Sequence, residues 1–261
     1  MRRLRVIHAW LRFGLVFSDT DKLIHIGSHA FRTCHWLKSP LSFPNLPVVN
    51  SNTFKECRSV PKFTFGDALT RIEGGGFHFS NSIREFHAGA NVEYIGGGAF
   101  ENQAHIPSQL RVFNLTNTDK ITYLGGMAFR YNDYPSTPLK FTNITVLYSK
   151  TFERCENIPS IEFGDHLVEI QDHAMINARG IQKVTFGANL RSIGNHAFEG
   201  QAHKPCSMNE LIFGDVHKLE YIGSHAFRYC KSLPTVYVPT NCTVASNAFE
   251  GSMGGWAYLD E

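Results

Sequence analysis

Short runs in which apolar and polar residues alternate recur along the whole chain, and each is followed by a turn and a compact apolar phrase. In the stretch from Cys155 to Met175, Ile161-Glu-Phe163 alternates as a strand with one buried face does. Gly164 follows, and the same slot holds Gly66, Gly89, Gly187 and Gly214, where a turn with positive φ is expected. Leu167-Val-Glu-Ile170 then reads as a second short extended segment whose first and fourth residues point inward. An Ala-Phe pair or its equivalent inserts into the core, and a loop returns the chain to the next strand.

The phrase is apolar-Gly-x-x-Ala-Phe. It stands as Ile26-Gly-Ser-His-Ala-Phe31, Ile95-Gly-Gly-Gly-Ala-Phe100, Leu124-Gly-Gly-Met-Ala-Phe129, Ile193-Gly-Asn-His-Ala-Phe198 and Ile222-Gly-Ser-His-Ala-Phe227. Degenerate copies end at Phe54, Phe77, Phe152, Met175 and Phe249. The ten anchors are spaced 23, 23, 23, 29, 23, 23, 23, 29 and 22 residues apart, the signature of a stacked repeat array. No single unit can bury its own apolar face, whereas stacked copies share a continuous core. Ten strands at about 4.8 Å each predict an array roughly 48 Å long.

A longer period lies above the short one, because the sequence repeats itself in detail every 98 residues. Gly89-Ala-Asn91 returns as Gly187-Ala-Asn189, and Gln103-Ala-His-Ile-Pro107 as Gln201-Ala-His-Lys-Pro205. Thr53-Phe-Lys-Glu-Cys57 likewise matches Thr151-Phe-Glu-Arg-Cys155. The unit of duplication is therefore four repeats. Residues 15–251 read as the solenoid, 1–14 as a degenerate partial repeat or cap, and 252–261 as a tail or truncated cap.

Ile222-Gly-Ser-His-Ala-Phe-Arg-Tyr-Cys-Lys-Ser-Leu-Pro-Thr-Val-Tyr-Val-Pro239 reproduces nearly a whole known motif, and through it the chain resembles the BspA-like class of leucine-rich repeat proteins. The resemblance implies a β-rich, right-handed leucine-rich repeat solenoid of about ten repeats. It also implies a binding role, often as a surface protein that adheres to other proteins. Two departures stand out: Phe-Gly replaces Ile-Pro after most strands, and every fourth unit is six residues longer. The first residues offer the basic and apolar parts of a secretory signal, but His8 and Arg12 interrupt the apolar stretch.

Composition narrows the function classes. A net charge of +2 with both signs interspersed gives no footprint for a nucleic-acid backbone. No apolar run is long enough to span a bilayer. Cys34, Cys57, Cys155 and Cys230 all lie three residues after an anchor, where they would act as small buried hydrophobes; bridging of Cys34 to Cys57 is the less favoured reading. His29, His173, His196 and His225 stand two residues before an anchor. The last three belong to consecutive units and would form a ladder about 5 Å apart, near enough to share a metal. The plainer reading is a turn position that accepts His, Gly, Asn, Lys and Met, and it carries no metal or cofactor. No nucleophile, base and orienter fall together, so no catalytic site is expected.

Binding surfaces suit the pattern better. The outward column of the main strands, Val16, Ser42, Thr64, His87, Asn114, Lys140, Glu162, Thr185, Ile212 and Tyr237, is mixed and hydrophilic. The outward column of the second segments runs His25, Val48, Arg71, Tyr94, Tyr123, Val146, Glu169, Ser192, Tyr221 and Thr243. Arg71, Tyr94, Tyr123 and Tyr221 in this column are the residue types that anchor protein interfaces, and they form the candidate partner-binding set. The long units should add protruding loops at 101–111 and 199–210 on one side of the array. A non-catalytic scaffold for a protein partner is the first reading. Assembly end to end through uncapped ends, with Trp10 and Trp256 as lids if the ends are covered, is the alternative. A metal-dependent enzyme using the histidine ladder comes last.

Overall fold

The computed structural model describes residues 20–106, 108–132 and 137–259. The chain winds as a parallel β solenoid of about nine turns, with successive anchors one turn apart. The anticipated start, residues 1–14 with Trp10 and the strand position Val16, lies outside the described residues.

Each turn has three faces. The main face is built from strands such as Lys62–Phe65, Glu85–Ala88, Ser160–Phe163 and Lys183–Phe186. The second face is a ribbon of two-residue strands such as Arg71–Ile72, Tyr94–Ile95, Glu169–Ile170 and Ser192–Ile193. All pair in parallel with their counterparts one turn away, so that Ser42, Thr64, His87 and Asn114 share one row and Arg71, Tyr94 and Tyr123 another.

The third face carries the Ala-Phe turn and has no β-strand, yet it is a ladder too. The N–H groups two residues before, at, and two residues after most anchors donate to carbonyls of the next turn. His173, Met175 and Asn177 donate in this way to Asn195, Ala197 and Glu199 at 2.9, 2.8 and 2.7 Å. This alternation demands left-handed residues, and they occur in two slots. Two before the anchor stand His29, Asn52, Gly75, Gly98, Met127, Lys150, His173, His196 and His225, all with φ between 54° and 68°. Two after it stand Thr33, Glu56, Phe79, Tyr131, Arg154, Asn177, Tyr229 and Gly251.

The expected positive φ at Gly66, Gly89, Gly164, Gly187 and Gly214 is not found. Crowding fixes glycine there instead. A methyl group at Gly66 or Gly164 would collide with the backbone carbonyl of Pro44 or Thr142 in the preceding turn. The left-handed residues, by contrast, are mostly side-chain-bearing, because their geometry is imposed by the ladder on both sides.

Phenylalanine fills the interior. Rings of consecutive anchors stack in near-parallel pairs, with centroids 5.3, 5.4, 5.1, 5.4 and 5.5 Å apart from Phe31 to Phe152. Met175 interrupts the column, which resumes at Phe198, Phe227 and Phe249. Strand phenylalanines such as Phe63 and Phe86 meet these rings edge-on, at 4.9 Å from Phe77 and 4.9 Å from Phe100. Edge and face contacts of this kind add to the burial term.

The long units break the regularity in a specific way. Phe77 to Phe86 spans nine residues, whereas the equivalent Phe100 to Phe113 spans thirteen; Phe86 to Tyr94 spans eight and Phe113 to Tyr123 ten. Four extra residues thus enter the loop, and two enter the turn after the strand, which becomes a short 3-10 helix at Thr118–Lys120. Equivalent helices occupy Thr20–Lys22 and Val216–Lys218, at intervals of 98 residues. Asn117 and Asp215 cap the two later ones by accepting from Asp119 and His217 N–H. The main sheet stops after each long unit, at Val112–Leu115 and at Glu210–Phe213. The second ribbon stops after Tyr123–Leu124 but runs through from Tyr221–Ile222 to Thr243–Val244.

The loops of the long units protrude only in part. Ala104 to Ile106 and Ala202 to Lys204 reach outward, but Asn102, Leu110, Cys206 and Met208 are buried. At the far end, strand Trp256–Tyr258 pairs with Val236–Val238, and Trp256 packs on the core.

These two roles of backbone geometry separate experimentally. Gly164→Ala is expected to lower stability by about 1–3 kcal/mol through overpacking against Thr142. Lys150→Gly, at a left-handed site with φ 60°, should stay within about 1 kcal/mol of the parent, since relief of strain offsets the entropy of glycine. Urea unfolding of both variants checks the contrast.

Candidate functional site

The side chains of the candidate set project from the second ribbon, where the backbone rise dictates what can touch. Tyr94 and Tyr123 are neighbours in the ladder, and their rings lie 4.5 Å apart and within 6° of parallel. Arg71, one rung earlier, places its guanidinium 3.9 Å from the Tyr94 ring centroid and is steadied by Glu73, 3.0 Å from its Nε. Such a cation over an aromatic face is attracted by the ring quadrupole. Tyr148 extends the row, 5.2 Å from Tyr123. The phenol of Tyr123 is raised above the ordinary tyrosine value by burial first and then by Tyr94 and Tyr148.

Three of the four anticipated residues are therefore brought together and one is not. Tyr221 stands in the separate ribbon of the next block, 38% exposed, with Ser192 rather than an aromatic residue beside it. Tyr148 stands outside the outward column, because it lies beyond the inward Leu147, in the slot that carries glycine in the best copies of the phrase. Its replacement of that glycine in Leu147-Tyr-Ser-Lys-Thr-Phe152 is the signal that marks it.

The histidine ladder exists with the anticipated spacing. His173 to His196 is 4.9 Å and His196 to His225 is 5.0 Å between ring centroids. Carboxylates reach it from outside the column, from the position after the anchor in separate turns. His196 Nδ1 lies 2.6 Å from Glu199, and His225 Nε2 lies 3.1 Å from Glu250. Among the described residues no group of three His, Cys, Asp or Glu is arranged to hold a metal. Asn, Gly and His, which adopt the left-handed backbone more readily than other residues, fill seven of the nine left-handed positions of this slot, and Met127 and Lys150 fill the other two.

Glu199 and Glu250 belong to a cluster that sequence inspection did not isolate. Arg228 lies 3.4 Å from Glu199 and 3.1 Å from Glu250, with its guanidinium 4.7 Å from the Tyr229 ring. Arg130 repeats the arrangement with Glu101, Glu153 and Tyr131 at 3.2, 2.7 and 4.6 Å. The paired triplets Phe129-Arg-Tyr131 and Phe227-Arg-Tyr229 are its trace in the sequence.

The six cysteines are buried and unbridged. The column cysteines do more than fill space. The thiols of Cys57 and Cys155 donate to the anchor carbonyls of the preceding turn, Phe31 and Phe129, at 2.9 and 3.0 Å. Ser80 and Ser252 occupy the same slot and donate to Phe54 and Phe227. These two cysteines and two serines thus serve the slot as small hydrogen-bond donors. Burial raises the thiol of Cys34 to about 11, so it is held protonated at neutral pH. Cys206, outside the column by sequence, accepts from the Met208 N–H at 3.4 Å.

Fold and surface together define a leucine-rich repeat solenoid, a scaffold that displays ladders of side chains on a rigid frame. The BspA type leucine rich repeat region matches the sequence in six copies, over residues 16–134, 107–204 and 199–254, and the chain belongs to that family. No curated protein matches it. Among solved structures it is similar to a leucine rich cell surface protein from Faecalibacterium prausnitzii, with 19% identity, TM-score 0.46, and coverage of 90% of this chain and 63% of that one. The chain thus spans less than two thirds of that protein's length. A leucine-rich repeat protein from Bacteroides ovatus has 14% identity and TM-score 0.39, over 90% of this chain and 87% of that one. The pneumococcal vaccine antigen PcpA has 14% identity and TM-score 0.36, over 85% and 84%.

The histidine ladder gives a pH test. Burial first, then the neighbouring His196 and Lys150, hold His173 below the ordinary histidine value of 6.5. The folded chain then binds this proton less readily than the unfolded chain. His173 opposes folding only as pH falls through about 6.5 toward its folded value, and it is without effect above. Stability should therefore decline from pH 7 to pH 5. His173→Asn, suited to φ 62°, should make that decline shallower in urea unfolding across a pH series.

Proposed function

We propose that the chain is a non-catalytic binding scaffold for a protein partner, in a cell-surface setting that rests on the family alone. The observation that supports the reading best is the stacked row Arg71, Tyr94, Tyr123 and Tyr148. Tyrosine and arginine dominate binding energy at protein interfaces because they bring large contact area and directional polar groups together. Here the rings already hold one another, so little rotamer freedom is lost when a partner docks. No helix among the described residues is long and apolar enough to cross a membrane.

A panel of purified secreted proteins, probed with the parent chain and with the Tyr94→Ala, Tyr123→Ala double variant, tests this. A partner bound by the parent and weakened at least about tenfold by the double variant, roughly 1.4 kcal/mol, is the expected result. Equal binding by both would remove the tyrosine row from the interface. Light scattering over a concentration series runs alongside it. A constant monomer mass fits a scaffold, whereas mass that grows with concentration would move end-to-end assembly ahead.

A further inference from the structure

The four-turn duplication makes the chain its own control. Glu169, Ser192 and Tyr221 stand 98 residues after Arg71, Tyr94 and Tyr123 and occupy the same three successive rungs. In the first block, the ring of Tyr94 fills the space between the Arg71 guanidinium and the Tyr123 ring, 3.9 Å from one and 4.5 Å from the other. In the second block the middle rung is serine. A groove of about 360 Å³ opens there, and Glu169, Ser192 and Tyr221 are among the residues that line it.

The electrostatics of the place are reversed as well. The ion pair of Arg71 with Glu73 becomes Glu169 with Gln171, and Gly74 becomes Asp172. Two carboxylates and no cationic side chain line the groove. Asp172 is already engaged, accepting from the Asn195 backbone N–H at 2.6 Å and from its side-chain amide. Gln171 accepts from Ser149 N–H at 3.2 Å. The Glu169 carboxylate and the Ser192 and Tyr221 hydroxyls have no ion pair or hydrogen bond among the described residues, so an acceptor, a hydroxyl and an aromatic group face one vacancy.

We infer that this groove is a slot for a guanidinium group, supplied by an arginine side chain of the protein partner. The occupant must be flat, to take the place that the Tyr94 ring takes in the first block. It must be cationic, to meet Glu169 without leaving a desolvated carboxylate unpaired. It must also carry several donors in a plane, to reach Glu169 and the Ser192 hydroxyl while covering Tyr221. A guanidinium combines these properties; an ammonium is compact and strongly hydrated and would leave the slot unfilled.

The inference rests on the protein-binding reading, but a small probe tests it apart from that reading. The whole ¹⁵N-labelled chain is titrated with N-acetyl-arginine N-methylamide, and in parallel with the citrulline and lysine counterparts. The expected result is saturable shifts confined to amides 169–172, 192–194 and 221. The citrulline compound, isosteric but neutral, should bind at least about tenfold more weakly. Ser192→Tyr rebuilds the filled rung of the first block and should abolish the shifts with the rest of the spectrum unchanged. Glu169→Gln, which alters no backbone requirement, should weaken them about tenfold. Absence of localised shifts, equal binding of citrulline or lysine, or shifts that survive Ser192→Tyr would each overturn the slot. None of these would touch the partner binding assigned to the Tyr94 and Tyr123 row, which stands or falls on the protein panel.

Discussion

A parallel ladder leaves almost no freedom in the rise from one turn to the next. Two faces of this solenoid pair as parallel strands except at the breaks beside the long units, and the third pairs through alternating left-handed residues, so the turns are held to their neighbours at the strand spacing of about 4.8 Å. Side chains in equivalent positions then stand one ring thickness or a little more apart. Phenylalanine can stack on phenylalanine, tyrosine on tyrosine and histidine on histidine without adjustment. The same rise places a thiol or hydroxyl three residues after one anchor against the carbonyl of the anchor before it. It also presses the backbone of successive turns so close that glycine is the only residue tolerated after most main strands.

The six-residue insertions show what this constraint permits. They leave the anchor column intact, since Phe100 and Phe129 stack at 5.4 Å across the first long unit and Phe198 and Phe227 at 5.3 Å across the second. The price is taken by the main sheet, which ends after each of them. The strands at those ends bury their inward residues less completely than strands elsewhere, as Val112–Leu115 beside Glu85–Ala88 illustrates. An arginine held between two glutamates and stacked on tyrosine follows at both places, and it ties the turn before the junction to the turn after it.

Side-chain columns were readable in the sequence because strand alternation and a fixed repeat length assign every residue to one row. The rows of Arg71, Tyr94 and Tyr123 and of His173, His196 and His225 follow from counting alone. What counting could not supply was any property set between rows. Glycines are where a sequence suggests left-handed slots, whereas the third-face ladder imposes that geometry on Met127, Tyr131 and Lys150. Tyr148 joins the tyrosine row from outside its column, and Glu199 and Glu250 reach the histidines from the position after the anchor. Each depends on the reach of a side chain across a turn, which spacing does not encode.

The duplication separates what the frame needs from what a surface offers. Inward positions keep their character between the two blocks: Ile72 and Ile170, Ile95 and Ile193, Leu124 and Ile222 are all buried aliphatic residues. Outward positions of the same strands do not, for Arg71 becomes glutamate and Tyr94 becomes serine. Packing cannot account for the exchange, since the two backbones carry both sets in the same register. One block presents a filled, cation-ended aromatic row, and the other an acidic vacancy against a tyrosine. A single frame thereby displays two chemically opposite surface regions four turns apart, about 19 Å along its axis.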